Sequence, residues 1–354
     1  MSDATTNTAD NGFEYIPDPQ GEAAQINEIA ELTKQLQDMR YPDAQKKLRG
    51  VHPKSHGCVK AQFEVLPDLD EQFQVGLFAQ AGKKYDALIR FSNASVRVEP
   101  DLKGDANGSR GMAIKVLGVE GTVLIDDQGK ENQDFLMINT PAFAFANVED
   151  YLRLTKIILE YNDVPDRFFA PLQFDVPGIT GEQKLRILNS FKIVQIIKAK
   201  PVANPLDVQY FSAAPFLFGP DRVMKFSAAP EGGEKPQVLP GNPSDDYLRE
   251  ALTATLEGNV DVVFDFKVQV RGKEEGLGIE DATSIWDDKQ FPFVNMAKIT
   301  IRAPQRDINT PKALERCENL VFNPWHSLAA HQPLGGVNRL RKPVYLSSAE
   351  HRGA

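Results

Sequence analysis

The feature that most constrains the fold is a strict alternation over residues 260–270. Valine or phenylalanine occupies every even position there, and mostly polar residues occupy the odd positions. Side chains of a β-strand point alternately to its two faces, so this pattern predicts one buried and one wetter face. Such strands are typical of antiparallel sheets.

Similar but shorter patterns predict strands at 59–65, 86–93, 110–119, 134–138, 208–218, 222–228 and 293–302. Helical spacing of apolar residues predicts helices at 23–39, 148–161 and 184–200, and 244–246 reads as the start of another. Strands outnumber helices before residue 140, and the later helices do not alternate one-for-one with strands. The fold class is therefore predicted as α+β, a sheet or barrel with helices gathered elsewhere.

Composition excludes several classes of protein. Charged residues at 25% and hydrophobic residues at 42% are ordinary globular values. A net charge of -9 argues against nucleic acid or an anionic membrane as the main partner. The two cysteines, Cys58 and Cys317, exclude a disulfide framework and a four-cysteine metal site, and they suit a reducing compartment. With no apolar run of membrane-spanning length, the chain is predicted to be cytoplasmic.

A short stretch at 49–57 concentrates groups suited to proton chemistry. It holds two of the five histidines, His52 and His56, beside Arg49 and Lys54, directly before a predicted strand. An imidazole with a pKa of roughly 6.5 can both take and give a proton near neutrality. A surface histidine in a loop is the plainer interpretation of this stretch alone.

A basic segment near the other end of the chain carries a tyrosine. If Tyr345 begins a helix after Pro343, Arg341 can lie against its phenol oxygen, and a nearby cation favours phenolate by lowering the tyrosine pKa. Tyrosinate is one of the axial ligands used by haem iron. The alternative is a basic helical tail whose tyrosine only packs.

Together these segments resemble haem catalases, and the resemblance rests on their joint order from residue 49 to 352. The matching segments are Arg49 with His52-Pro53-Lys54-Ser55, Arg90-Phe91-Ser92, Arg110 to Lys115, Asn139-Thr140-Pro141, 260–270, Phe291-Pro292, Phe322-Asn323-Pro324, Arg341 with Tyr345, and Arg352. The chain departs from that pattern at Leu48, where an acid is usual, and at Lys342-Pro343-Val344, where an aromatic is usual. The sequence stops soon after Tyr345 and its N-terminal arm is short, so it resembles the minimal catalase-related proteins, which include small catalases, hydroperoxide peroxidases and allene oxide synthase-like enzymes.

The resemblance implies a fold, a cofactor and a set of roles. Residues 21–354 would form a single catalase-like haem domain, an antiparallel β-barrel with flanking helices and haem b between them, preceded by a disordered tail at 1–20. The implied catalytic residues are His52, Asn139 and Ser92, the implied iron ligand is Tyr345, and the implied haem-binding residues are Arg49, Val51, Arg90, Phe143, Arg341 and Arg352. The implied partners are a peroxide substrate and an electron donor. The sequence leaves a homo-oligomer open.

Three functions fit this resemblance. The first is a haem peroxidase or catalase that reduces hydrogen peroxide or organic hydroperoxides. The second is an allene oxide synthase-like rearrangement of fatty-acid hydroperoxides, and the third is a non-catalytic haem- or fatty-acid-binding module. Val51 favours the first over the second, since the related synthases have threonine before the distal histidine. An intact set of His52, Asn139, Arg341 and Tyr345 argues against the third. Whether His56 shares the pocket with His52 stays open.

Overall fold

A computed structural model of the protein describes residues 12–42, 47–104, 106–125, 131–273 and 276–354. Most of the predicted disordered tail at 1–20 lies outside the described residues, and the first helix begins at Pro19. Among the described helices, none has both the length and the apolar character needed to cross a lipid bilayer.

The strands of the described chain are β1 (Ser55–Val65), β2 (Lys84–Asn93), β3 (Leu102–Lys103), β4 (Ala106–Asn107), β5 (Arg110–Leu117), β6 (Asn132–Ile138), β7 (Tyr210–Phe211), β8 (Phe216–Leu217), β9 (Val223–Pro230), β10 (Val262–Arg271) and β11 (Val294–Ile301). The order β10-β11-β1-β2-β5-β6-β7-β9 closes into an eight-stranded antiparallel barrel through pairing of β9 with β10. Strand β8 extends the sheet beyond β9, and β3 and β4 form a separate ribbon. The predicted α+β class is confirmed.

The α-helices of the described chain are α1 (Pro19–Arg40), α2 (Val148–Glu160), α3 (Gly181–Ala199), α4 (Tyr247–Leu256), α5 (Pro311–Asn319) and α6 (Gly336–His351). Short 3-10 helices lie at Glu71–Phe73, Gly76–Phe78, Pro165–Leu172 and Ala329–His331. Helices α1, α2 and α3 confirm the three predicted helices, and local sequence explains where α1 and α3 start. The Asp18 side chain caps α1 and Pro19 occupies its first turn. Thr180 and Gln183 form a capping box at α3.

Aromatic side chains fill the inside of the barrel. The ring of Phe135 lies 4.6 Å from that of Phe266 and 4.9 Å from that of Phe226, measured between ring centres. Phe63 stacks on Phe135 from another strand. Such ring pairs add roughly 0.5–1.5 kcal/mol each beyond the burial of their area. The interior is therefore a packed core, and room for a ligand must lie on the outer face of the barrel.

A layer of three helices covers part of that outer face. Helices α1, α2 and α6 pack on one another through an apolar cluster that includes Ile26, Ile29, Val148, Leu340 and Val344. Strand β2 shows how the barrel faces this layer. Its odd residues Ile89 and Phe91 belong to the barrel core, whereas the intervening polar residues face the space beneath the helices. The alternation of the sequence thus separates core from site.

Two predicted elements differ from the structure. The single strand predicted at 208–218 is broken into β7 and β8, because Ala213 adopts a left-handed φ of 59° and Pro215 follows it. Both short strands still pair with β9. The predicted helix starting at Tyr345 is wrong, since α6 begins nine residues earlier at Gly336 and contains Pro343. Packing against α1 holds the helix through the proline, although proline usually ends one.

Candidate active site

The candidate site is a cavity of about 350 Å³ between the helix layer and the barrel wall. Residues of β2, β5 and β6 line one side, and residues of α1, α2 and α6 line the other. A volume of this size is at the lower end of the range for small-molecule and cofactor pockets. Its position between two layers means that each wall contributes a different set of functional groups.

Two adjacent rows of cross-strand neighbours, each running over β2, β5 and β6, form the barrel wall of the cavity. One row pairs Ser92 with Gly111 and Gly111 with Ile138. The next pairs Arg90 with Ala113, which in turn pairs with Leu136. In these two rows the middle strand contributes the small residues Gly111 and Ala113, which leaves a shallow recess between the outer two strands.

His52 lies against this recess in a strained backbone conformation. Its φ of 59° is rare for a residue with a side chain, and its backbone N–H donates to the Ser95 carbonyl at 2.9 Å. The ring packs on Gly111 so closely that an added Cβ there would lie 2.5 Å from Nδ1. Strain of this kind persists only where the surroundings fix it, and it is common at functional sites.

The imidazole of His52 is oriented by one hydrogen bond and kept neutral by its surroundings. Nδ1 lies 2.9 Å from the hydroxyl of Ser92. Burial foremost, then the positive charges of Arg90, Arg341 and Arg49, lower the pKa of His52 to about 3. If Nδ1 carries the proton and donates a hydrogen bond to the Ser92 hydroxyl, Nε2 presents a lone pair. The group can then act as a base at neutral pH.

On the opposite wall, α6 supplies a tyrosine with a cation beside it. Arg341 and Tyr345 are one helical turn apart, so their side chains share a face. Arg341 Nη2 donates to the phenol oxygen of Tyr345 at 3.3 Å, and Nη1 donates to Asn338 at 3.1 Å. The guanidinium also lies 5.5 Å from the ring centre of Phe143, which lines the cavity. Arg341 therefore fixes the position of the phenol oxygen of Tyr345 in the cavity wall.

Three arginines meet at one end of the cavity around the carboxylate of Glu318. Arg49 and Arg90 each form an ion pair with it. Arg352 donates to the backbone carbonyls of Glu318 and Leu320. Burial first, and then Arg90, lower the pKa of Arg49 to about 9. Three cations and one anion leave an excess of two positive charges, which favours binding of a further anionic group.

The remaining predicted site residues are placed differently. Val51 lines the cavity and is 41% exposed. Asn139 is buried but is not part of the cavity wall, and its Oδ1 accepts hydrogen bonds from the Arg110 backbone N–H and the Ser109 hydroxyl. His56 is fully buried, with Nε2 2.9 Å from Asn93 Oδ1, and it does not line the cavity.

Comparison with known proteins finds catalases in both sequence and structure. Catalase T of Saccharomyces cerevisiae, found in strains YJM789 and S288c, is 24% identical over 295 residues, which cover 78% of this chain and 48% of the relative. This chain is related to catalases. It spans about half the length of the curated relatives it matches. No protein-family model matches it.

Solved structures of catalases share the fold of this catalase-related protein. Catalase A from Saccharomyces cerevisiae matches with a TM-score of 0.68 at 18% identity, covering 89% of this chain and 63% of that one. A fungal catalase matches at 0.66 and 18%, covering 88% and 60%, and a bacterial catalase at 0.65 and 18%, covering 98% and 63%. The predicted catalase-like barrel with flanking helices is confirmed.

Sequence patterns alone did not identify three residues of the candidate site, which are Gly111, Glu318 and Tyr151. Gly111 stands alone inside a strand, a pattern that often marks a close approach, and it could have been found. Glu318 had no local signal, because its partner Arg90 lies far away in the sequence. Tyr151 of α2 also lines the cavity, and burial raises its pKa.

Proposed function

We propose that this protein is a haem-dependent enzyme that reduces hydrogen peroxide or organic hydroperoxides, with Tyr345 as the iron ligand. One observation carries the proposal: a His52–Ser92 pair on the barrel wall and an Arg341–Tyr345 pair on the helix wall line the same cavity. The relationship to catalases supports a peroxide as the substrate. The free cysteines fit a cytoplasmic location.

The residues present fit haem b. Gly111 lets the His52 ring lie close against the barrel wall, and the small side chain of Ala113 in the neighbouring row leaves space where a planar ring could lie, with Val51 and Phe143 as further contacts. Haem b carries two propionates, which match the excess of two positive charges at the arginine cluster. Within the described residues, the buried Nε of Arg90 has no hydrogen-bond partner, so this cluster retains donor capacity.

Haem bound here would supply the iron at which the O–O bond is broken and the peroxide is reduced. The part of His52 is to move a proton. Neutral Nε2 accepts the proton of the peroxide and returns it to the departing oxygen, so that water or an alcohol leaves. Ser92 holds the ring in the orientation this transfer needs. Arg341 holds the phenol oxygen of Tyr345 in position as a ligand through its hydrogen bond.

For Asn139 we propose a positioning role. Its Oδ1 holds the hydroxyl of Ser109, which lines the cavity, and this leaves the amide N–H groups as the only donors it could direct toward a peroxide. Loss of Asn139 should therefore slow the reaction less than loss of His52.

The test is peroxide turnover by the protein loaded with haem b. Hydrogen peroxide and cumene hydroperoxide are each added with a donor dye, and a fatty-acid hydroperoxide is tested separately. We expect dye oxidation with both peroxides, and evolution of oxygen from hydrogen peroxide. Conversion of the lipid hydroperoxide to an allene oxide without dye oxidation would favour the rearrangement instead. Tight haem binding with no reaction at all would indicate a binding module.

A further inference from the structure

The two cysteines of the chain meet behind the arginine cluster. Cys58 is in β1 and Cys317 is in α5, which packs on β1, and the side chains of the two cysteines interact. The hydroxyl of Ser55 is 3.7 Å from Cys317 Sγ. Cys317 is 1% exposed, whereas Cys58 is half-buried. A chain with only two cysteines has thus brought both to one place from opposite ends of its sequence.

The surroundings of this pair favour a reactive thiolate. Cys58 is the cross-strand partner of Arg90, and Arg49 donates to the backbone carbonyl of Cys317 at 3.2 Å. The hydrogen bond from Cys58 is the main cause that lowers the pKa of Cys317; burial opposes it, and Arg90 adds to the lowering. The pKa of Cys58 is raised by the same hydrogen bond. Such an arrangement resembles one attacking thiol and one resolving thiol.

We propose that Cys58 and Cys317 are a peroxide-sensitive dithiol that closes into an intramolecular disulfide. In the first step the Cys317 thiolate attacks hydrogen peroxide, an S–O bond forms, the O–O bond breaks, and hydroxide leaves. In the second step the Cys58 sulfur attacks the sulfenic acid, an S–S bond forms, and the S–O bond breaks. The departing hydroxide takes the Cys58 proton and becomes water. The two cysteines are oxidised and one peroxide is reduced.

The disulfide would connect the oxidation state of the two cysteines to the arginine cluster at one end of the cavity. Cys317 directly precedes Glu318, the anion shared by Arg49 and Arg90. Linking α5 covalently to β1 fixes the segment that carries Glu318 and the carbonyls that receive Arg49 and Arg352. The pair is therefore a modification site in contact with the groups proposed to bind propionates. The reaction itself needs no haem.

The experiment uses the full-length chain without haem, so that its result does not depend on the proposed function. The reduced protein is treated with hydrogen peroxide, alkylated with N-ethylmaleimide and measured by intact mass. We expect both thiols to stop reacting with N-ethylmaleimide and the monomer to be about 2 Da lighter than the reduced, unalkylated chain. Dithiothreitol should restore both thiols fully. The Cys58→Ser variant should form no disulfide and should give a dimedone adduct at Cys317. The Cys317→Ser variant should keep an alkylatable Cys58.

Two results would overturn the proposal. One is that both thiols of the folded chain remain fully alkylatable after peroxide treatment, although the same treatment oxidises the chain when it is unfolded in guanidinium. The other is that oxidation gives only disulfides between chains. The circular dichroism of both serine variants is compared with that of the parent chain, and a Ser55→Ala variant serves as a folded control that keeps both thiols. Haem binding and peroxide turnover are measured separately, so either proposal can fail alone.

Discussion

Substitution of Gly111 by alanine tests whether the barrel wall positions the catalytic histidine. The new Cβ would lie 2.5 Å from Nδ1 of His52, 2.6 Å from its Cε1 and 2.9 Å from Oγ of Ser92. Ordinary contacts of a Cβ begin at 3.4 Å, so the imidazole must retreat by roughly 0.9 Å or tilt. The ring cannot simply slide along the wall, because the His52 backbone is fixed at a positive φ by its bond to Ser95.

A displacement of this size has a large expected effect on the reaction. A misplacement of about 1 Å in a reacting group can cost about 10²-fold in rate. We therefore expect Gly111→Ala to lower peroxide turnover about 100-fold while haem binding through Tyr345 persists. The change also separates Nδ1 from Ser92, which removes the group that orients the ring.

The assay is the rate of peroxide-driven dye oxidation per haem, with haem content taken from the Soret absorbance. Gly181→Ala is the matched control, because a Cβ there meets no atom within 4 Å and the position needs no positive φ. The control should keep full activity. If Gly111→Ala also keeps full activity with an unchanged melting temperature, His52 does not act from the position described.

Further expectations concern the histidines. His52→Ala should lower peroxide turnover by about 10²–10⁴-fold with haem retained, and His56→Ala should lower it much less; the reverse order would move the proton-transfer role to His56. Because burial and the neighbouring arginines hold the pKa of His52 at about 3, turnover should stay level from pH 7 to about 4 and fall only below that, and a midpoint near 6.5 would contradict this. His56 and His331 have folded pKa values of about 4 against an ordinary 6.5, chiefly through burial. The unfolded chain therefore binds more protons between these values, and the free energy of unfolding should fall as pH drops from 6.5 towards 4, by about 1.4 kcal/mol per pH unit for each histidine. Denaturant titrations of the parent and of a His56→Gln, His331→Gln double variant would measure the slope, which should be smaller in the variant.

Local patterns in the sequence were enough to predict most of the barrel. Alternation at 260–270 and in the shorter segments marks strands, because each strand must bury one face regardless of its neighbours. The break at Ala213 and Pro215 was not predicted, since the apolar pattern continues across it. The start of α6 also differs from the predicted one, because proline usually ends a helix whereas burial of Val344 against α1 keeps this helix continuous.

The candidate site was predictable only where its residues belong to short motifs. Arg341 and Tyr345 are one turn apart, so any helix brings their side chains together. By contrast, the contact of Glu318 with Arg90 and that of Cys58 with Cys317 depend on how α5 docks on the barrel. No periodicity in either segment encodes that docking. The three-dimensional arrangement was needed to find the anion of the arginine cluster and the thiol pair.

Ligation of the haem iron by Tyr345 is tested most directly by the absorption spectrum of the haem-loaded protein beside that of a Tyr345→Phe variant. Phenylalanine keeps the ring in α6 but removes the oxygen to which Arg341 donates. If Tyr345 ligates the iron, the parent shows a Soret band typical of a tyrosinate-ligated iron, and the variant loses this band or shifts it grossly. Tyr151→Phe, which alters the other tyrosine lining the cavity, should leave the parent spectrum unchanged. An identical Soret band in Tyr345→Phe and the parent would contradict the central claim.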